Sequence, residues 1–522
     1  MSDQEIELKL RVRPEDMARL RAAPLFGTAK GRAVTRQLQS VYYDTPDLRL
    51  HGRALTLRVR RQGQKFVQTL KSAPEGVGGV TTRGEWESPV AEPRPNLAAL
   101  PVNGGWDQIG PLADGELRPV FESDIKRTVR RLVPGDGEEI EVAFDLGEIR
   151  TAEGQNMPVA EIELELTQGD NVKALYELAL ALNEVAPLRV ETRTKAERGY
   201  ALAMGGVTGW SKAGRLDIAP EDTVETALAR IVRHCVGHLV ANEACALSGD
   251  NPEGIHQMRV ALRRLRSALS IFKELLPPAQ YADLAAEVKW LAGAFGPARD
   301  WDVFLEELFA PVDRAFPGEP ALAALAEAAR RCRELGYVRA REAILSRRYT
   351  ALLLRVGAWV DGRGWRDQPV SEQAAQFFQP VHTLSDRLLA KRHRQARKRG
   401  RGFAHAPPDA RHELRIALKK LRYATDFFRA LYPAKAVKRY ADDLAHLQDA
   451  LGHLQDVATV GRLMGAVEAE LDGRAPDGWR QGAGMVLGWH GRGLVAMEPK
   501  LVADWDRFAA TKPFWSEAKG IG

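Results

Sequence analysis

The sequence predicts an α+β chain of two unlike parts: antiparallel β-strands over the first 200 residues, then an all-α, internally duplicated part. Three observations carry this. Apolar and polar residues alternate with period two in five stretches before residue 200, the pattern of half-buried strands. Beyond Gly205-Gly206-Val207-Thr208-Gly209, apolar residues recur at helical spacing instead. Two segments of this second part repeat in one register, 156 residues apart.

The strand pattern covers residues 5–10, 54–60, 65–71, 139–146 and 159–166, separated by turn-rich stretches at 72–79, 92–119 and 134–137. One clear helix follows at 171–185. Many antiparallel strands with few helices imply a barrel or a sandwich. Helical periodicity then marks 224–247, 255–276, 281–294, 321–345, 372–399, 412–431 and 436–451. Within these, His256-Gln257-Met258-Arg259-Val260-Ala261-Leu262-Arg263-Arg264-Leu265-Arg266 matches His412-Glu413-Leu414-Arg415-Ile416-Ala417-Leu418-Lys419-Lys420-Leu421-Arg422. The same offset relates Phe295-Gly296-Pro297-Ala298-Arg299-Asp300 to Leu451-Gly452-His453-Leu454-Gln455-Asp456. Two segments in one register argue for a duplicated unit of several helices. The expected organisation is a first domain at 1–203, a linker at 204–216 and a helical domain at 217–510 made of two bundles related by a pseudo-twofold axis.

Composition narrows the class. Of 522 residues, 45% are hydrophobic and 28% charged, enough to bury large cores. Three cysteines without a CxxC pair exclude a disulfide scaffold and a cysteine-built zinc site. No apolar run approaches the ~20 residues of a membrane span, and the first residues lack the features of a signal peptide. A cytoplasmic protein is expected. The net charge of +6 is unevenly spread: residues 1–200 hold 28 Lys+Arg and 31 Asp+Glu, the remainder 47 and 38.

In the strands, charges share faces, because residues two apart point the same way. Glu5, Glu7 and Lys9 form one set, Arg58 and Arg60 another. Lys65, Thr69 and Lys71, then Arg83, Glu85 and Glu87, follow the same rule, as do Glu141 and Asp145, and Glu161, Glu163 and Glu165. One such strand reads as a solvated face over an apolar core. Five or more read better as charges lining a barrel interior, with apolar residues facing outward onto covering loops and helices. Such an interior needs a ligand, since unpaired buried charge is costly. Clustered Lys and Arg answer a polyanion, and clustered carboxylates hold hard divalent cations. Together they describe a metal–polyphosphate site.

These residues resemble the CYTH superfamily, the triphosphate tunnel metalloenzymes. Glu5-x-Glu7-x-Lys9 is similar to its ExExK motif. The likeness continues through Tyr43-Asp44-Thr45, Leu57-Arg58-Val59-Arg60, Thr69-Leu70-Lys71, Arg83-Gly84-Glu85-Trp86-Glu87, Glu161-Ile162-Glu163-Leu164-Glu165 and Lys195-Ala196-Glu197-Arg198-Gly199-Tyr200. The resemblance implies a closed tunnel of eight antiparallel strands. It implies Mg²⁺ or Mn²⁺ held by Glu5, Glu7, Glu163 and Glu165 with Asp145, and with Glu161 as a further candidate. It implies phosphate oxygens gripped by Lys9, Arg58, Arg60, Lys71, Arg83 and Arg127. Lys195 would contact phosphate or orient the attacking water. Family members often carry an aromatic residue shortly after the arginine of the Asp124–Arg130 stretch. Val129 and Arg130 stand here, which leaves Arg127 and Arg130 as alternatives.

In the helical part, a wheel of about 100° per residue puts His256, Arg259, Arg263 and Arg266 on one stripe and the apolar residues on another. His412, Arg415, Lys419 and Arg422 repeat it. A merely soluble face need not keep His and Arg in register. Residues 391–401 add a dense basic run, which repels itself unless neutralised. This part resembles the CHAD domain, the conserved-histidine α-helical domain, which implies inorganic polyphosphate as ligand. His256 and His412 lack companions at metal-ligand spacing. No nucleic-acid motif appears, and no aromatic residue interleaves the basic run, so nucleic acid is not expected as a specific partner. The expected activity is metal-dependent hydrolysis of inorganic triphosphate, with polyphosphate bound by the helical domain. The alternatives are a non-catalytic polyphosphate-binding protein, or an enzyme of an organic triphosphate such as a thiamine triphosphatase or class IV adenylate cyclase. Oligomeric state is not legible.

Overall fold

The computed structural model of the chain describes residues 4–72, 75–77, 80–99, 112, 115–135, 137–206 and 209–517. The chain divides into two compact units. Met1–Gly209 joins Leu345–Gly364 in the first, and Trp210–Ile344 joins Trp365–Gly522 in the second. Among the described residues no helix is long and apolar enough to cross a membrane.

The first unit is built on one sheet of ten strands: β1 (Gln4–Arg11), β2 (Lys30–Asp44), β3 (Thr56–Gln62), β4 (Lys65–Lys71), β5 (Glu75–Val77), β6 (Val80–Val90), β7 (Arg118–Gly135), β8 (Glu138–Thr151), β9 (Asn156–Gln168) and β10 (Arg189–Val190). Their order is β10-β1-β9-β8-β7-β2-β3-β4-β6-β5, and an antiparallel β1–β6 pairing closes eight of them into a ring. The expected eight-stranded tunnel is therefore present, with β5 and β10 as short additions. The barrel is turned inside out, as the alternation in β1 requires. Leu8 and Leu10 are fully buried on its outer face, while Glu7 and Lys9 are buried within. A closed ring leaves no open edge to aggregate.

β2 and β7 lack a clean period-two signal. In the first part of β2 both faces are exposed, and prolines punctuate β7 near each end. The helix Lys173–Val185 covers the barrel with Leu175, Tyr176, Ala179 and Leu182. A second helix, Arg347–Asp361, packs on it from far along the sequence. Ten of its fifteen residues are buried, while Arg347, Arg348 and Arg355 mark one exposed side, so the helix is amphipathic. It is fastened at named points. Asn183 Nδ2 donates to Arg347 O (3.0 Å), Asn183 Oδ1 accepts from Leu188 N (3.1 Å), Thr350 donates to Leu188 O, and the Tyr176 hydroxyl bonds Asp361.

The second unit is helical. Val224–Ala241, Glu253–Phe272, Pro278–Ala294 and Pro320–Leu345 are followed, after the helix lent to the barrel, by Val381–Arg399, Pro408–Phe428, Ala434–Leu471 and Trp479–Ala510. The stretch expected at 224–247 breaks at Asn242, and that at 372–399 breaks at Pro380. Helix Ala434–Leu471 runs to 38 residues, beyond the expected 451. One core gathers Trp301, Phe304, Leu322 and Leu325 with Val460, Leu463, Val467 and Trp479. Glu253–Phe272 and Pro408–Phe428, the two repeated helices, are in contact.

The helix pair in the first unit gives a test. A Cβ at Gly357 would lie 2.4 Å from the Tyr176 ring, so the two helices approach closely only because this residue is glycine. Gly357→Ala is expected to destabilise the barrel unit by about 1–3 kcal/mol, read as a lower denaturant midpoint. A fragment ending at residue 209 lacks the helix and should melt lower still.

Candidate functional site

The tunnel's charge pattern follows from strand register. Across β1–β9, Glu7 faces Glu165, Lys9 faces Glu163 and Arg11 faces Glu161. Across β8–β9, Glu141 faces Glu165 and Asp145 faces Glu161. Like charges directly opposite one another are destabilising unless a cation intervenes. β7 brings Arg127 opposite Asp145, and β3 brings Arg58 and Arg60 opposite Tyr42 and Ser40 of β2. β4 and β6 pair Lys71 with Glu85 and Thr69 with Glu87.

One wall is completed by the helix Lys195–Ala203. Thr194 and Glu197 form a reciprocal capping box that starts it. It lies flat on β7, since a Cβ at Gly199 would fall 2.2 Å from Phe121. Tyr200 donates to buried Asp44 (2.9 Å), which also accepts the backbone N–H groups of Leu50 and His51. Thus anchored, the helix sends Lys195 into the tunnel. Its Nζ lies 2.7 Å from Asp145 and 2.8 Å from Glu163, and it also bonds Glu161. Arg127 grips Asp145 with two nitrogens (2.7 and 2.6 Å) and reaches Glu163 as well. Arg198 bonds Glu161 from behind.

The electrostatics follow from these contacts. Burial alone would raise Glu163, but Arg127, Lys195 and Lys9 hold it well below the usual carboxylate range. Asp145 is lowered against burial by Lys195 and Arg127. Lys195 is raised, because Asp145, Glu161 and Glu163 outweigh its burial. Arg60 is depressed to about 10 by burial and by Arg58 and Arg127. It therefore sits among cations with few anions of its own.

A cavity of about 540 Å³ is lined by Lys9, Arg58, Arg60, Lys71 and Arg127 together with Asp145, Glu163, Glu165 and Lys195. Asp145, Glu161 and Glu163 bring one carboxylate oxygen each within 4.8 Å of one another. This all-oxygen donor set suits a hard divalent ion. Glu7 is buried beside Lys9 and pairs with it. The strands carrying Glu5 and Arg83 are paired at those two residues, but both side chains lie outside the described residues. Arg127 enters the tunnel. Arg130 leaves the opposite face of β7, its guanidinium 5.6 Å from the centre of the Phe26 ring. Ser40, Tyr42 and His51, which the sequence did not single out, also line the cavity, as does Tyr200, marked there only as the end of the Lys195–Tyr200 motif. The only signal for Ser40 and Tyr42 is that they share parity with Arg36.

In the helical unit the two repeated faces meet. Burial and the nearby Arg415, Arg263 and Arg259 pull Lys419 down to about 7, against the opposing pull of Asp456. Arg259 is lowered by burial and by Arg263, Arg299 and Arg462, with Asp300 opposing. Asp300 lies 2.7 Å from Arg462 and 3.9 Å from Arg259. His256 is depressed to about 4 by burial and by Arg299. His412 is exposed and bonds Gln455, and Arg422 bonds Gln448 at 3.2 Å. Arg266 is exposed. Arg462 was not foreseen, and Arg299 stood in a repeated segment without an assigned role. Asp300 and Asp456 were visible as a repeated pair but carried no assigned role.

Lys419 makes a pH test. With a folded-state value near 7 it is charged below that pH and neutral above it. For a polyanion bound at this cluster, affinity should fall by about tenfold between pH 6 and 8. Binding near pH 7.5 should take up a proton, read by calorimetry in buffers of different ionisation enthalpy. Lys419→Met should abolish that uptake.

Residues 3–200 match the CYTH domain family, and residues 230–464 match the CHAD domain family. The chain is 34% identical over 230 residues to the inorganic triphosphatase of Haemophilus influenzae, a match covering 43% of this chain and 62% of that protein. An uncharacterized protein of Mycobacterium tuberculosis is 26% identical over 447 residues, covering 81% of this chain and 80% of its own. The crystal structure of the CHAD domain from the plant Ricinus communis is similar at 28% identity and a TM-score of 0.49, covering 58% of this chain and 98% of that one.

Proposed function

We propose that this chain, a CYTH domain followed by a CHAD domain, is a metal-dependent hydrolase that cuts inorganic triphosphate to pyrophosphate and phosphate, and that its helical part binds polyphosphate. The observation that carries the first half is the tunnel itself: a buried carboxylate cluster and a facing set of Lys and Arg side chains around one cavity. The activity borne by the name of the Haemophilus influenzae relative supports it.

Each side chain has a role consistent with its position. Lys9, Lys71 and the guanidinium groups of Arg58, Arg60 and Arg127, with Arg83, would hold phosphate oxygens, the arginines by their planar fork. Asp145, Glu163 and Glu165, with Glu5, Glu7 and Glu161, would hold Mg²⁺ or Mn²⁺. A divalent ion there supplies Lewis-acid neutralisation of the phosphoryl charge. Lys195, fixed by the capped helix, would donate to the phosphoryl group or orient the attacking water. Phosphoryl transfer asks chiefly for positioning and charge stabilisation, so no covalent nucleophile is needed.

An inorganic substrate is favoured over an organic one by the state of the aromatic residues. Tyr42 already stacks on Phe121, and His51 on Tyr200, each pair at 4.4 Å. Tyr42 and Tyr200 are almost wholly buried. Little free ring face is left for a base or a thiamine ring. The polyphosphate reading of the helical part rests on Arg259, Arg263, Arg415 and Lys419, which crowd together with Asp300 and Asp456 as their nearby acids.

Phosphate release from tripolyphosphate with Mg²⁺ or Mn²⁺ is the direct test. Glu163→Gln should lower kcat by about a hundredfold or more, and an unchanged rate would move the site elsewhere. Assays with ATP and thiamine triphosphate decide the substrate. Charge reversal at Arg259, Arg263, Arg415 and Lys419 together should remove salt-sensitive binding of long-chain polyphosphate while tripolyphosphate hydrolysis persists.

A further inference from the structure

The three clustered carboxylates of the tunnel are not equivalent. Among the described residues, Asp145 and Glu163 border the tunnel cavity and Glu161 does not. Glu161 is wholly buried, with one oxygen bonded to Lys195 and the other to Arg198. Lys195 and Arg198 stand three residues apart on the capped helix, so they share a face and reach the same carboxylate. Arg198 is buried too, and it does not border the cavity. Glu191, also buried, adds its charge beside Arg198. Glu191 in turn takes Arg11 on one oxygen and the backbone N–H of Arg193 on the other (3.0 Å). Charges of alternating sign therefore run from Arg11 through Glu191, Arg198 and Glu161 to Lys195.

A divalent ion in the tunnel affects these groups unequally. Arg127 and Lys195, which pair with Asp145 and Glu163, border the cavity themselves. Both can turn from carboxylate to phosphate without being buried unpaired. Arg198 has no such alternative. Taking Glu161 from it would strand a guanidinium out of water, which is strongly unfavourable. Of the three carboxylates that Lys195 touches, Asp145 and Glu163 are claimed when an ion is bound. Glu161 is the one that remains. A buried structural ion pair would account for Glu161 and Arg198 if both oxygens went to the guanidinium. One oxygen goes to Lys195 instead.

We propose that Glu161, held by Arg198, is a positioning residue and not a metal ligand: it keeps Lys195 aimed at the phosphoryl group once Asp145 and Glu163 are engaged by a divalent ion. This rests on the triphosphatase reading above and removes Glu161 from its metal ligands. Arg198 acts one step further back, by fixing the carboxylate that fixes the lysine. The capped helix supplies both cations, so its seating on β7 sets the distance between them.

The test uses the full chain and the double variant Glu161→Leu/Arg198→Met, which removes one buried charge of each sign. Apolar side chains of similar size often replace a buried ion pair without loss of the fold. Mn²⁺ binding, read from the electron paramagnetic resonance of the free ion, should stay within about tenfold of the parent, because the net charge is unchanged. A larger loss makes Glu161 a ligand and overturns the proposal. With tripolyphosphate, kcat should fall about thirtyfold or more, while KM stays within about threefold. A smaller fall in kcat, or a rise in KM in its place, reduces the pair to a structural brace and overturns the proposal as well. A second readout needs no variant. In crystals of the parent soaked with Mn²⁺, anomalous scattering should place the ion on Asp145 and Glu163, with Glu161 still bonded to Lys195 and Arg198. An ion on Glu161, or a Lys195 that has left it, sinks the proposal. If the ion sits as expected but the parent cuts no tripolyphosphate, the triphosphatase reading fails, while Glu161 keeps its place outside the ligand set.

Discussion

Three carboxylates, Asp145, Glu161 and Glu163, are confined with ligand oxygens inside 4.8 Å, two of them wholly buried. The rest of the barrel is arranged around that constraint. Charge of one sign cannot be taken out of water at such density without compensation, and the compensation comes from three directions. Arg127 arrives from the neighbouring strand, Lys195 from the capped helix and Arg198 from behind. This explains why the helix must start at a firm cap and lie against Phe121 at a glycine. A Lys195 displaced by even a turn would leave Glu161 with Arg198 alone.

The helical unit meets the mirror-image problem. There the crowded charge is positive, contributed by two repeated helices that face one another, and the internal acids are few. Asp300 and Asp456 stand at matching places in the repeats, each beside basic residues of both repeats. Lys419 loses its proton around pH 7 because desolvation and three guanidinium groups oppose it. The tunnel keeps anions and cations paired, while the helical unit keeps cations waiting. That difference accounts for the near balance of charge before residue 200 and the excess after it.

Much of this was legible because strand parity is a strict rule. Lys9, Arg58, Arg60, Lys71, Asp145, Glu163 and Glu165 sit two apart in alternating stretches, and a period of two leaves one choice of face. What escaped did so for identifiable reasons. Arg299 and Arg462 reach the basic cluster through helix packing, which no local period encodes. Helix Arg347–Asp361 has an apolar face, but nothing local says that its partner is the helix Lys173–Val185, far earlier in the chain.

That last helix also separates two meanings of the word domain. By family match it lies inside residues 230–464, the CHAD part. By contacts it belongs with the barrel. It holds Leu188 through Thr350, and Leu188 leads directly into β10, which pairs Val190 with Leu10 and Arg189 with Arg11. β1 is the strand of Glu5, Glu7 and Lys9. Glu191, just beyond β10, bonds Lys9 O through its backbone N–H and takes Arg11 on its side chain. The strand that carries the first tunnel charges is therefore braced by a segment encoded more than 300 residues later in the chain. A cut placed at the sequence boundary between the two families removes part of the support for the site it is meant to isolate.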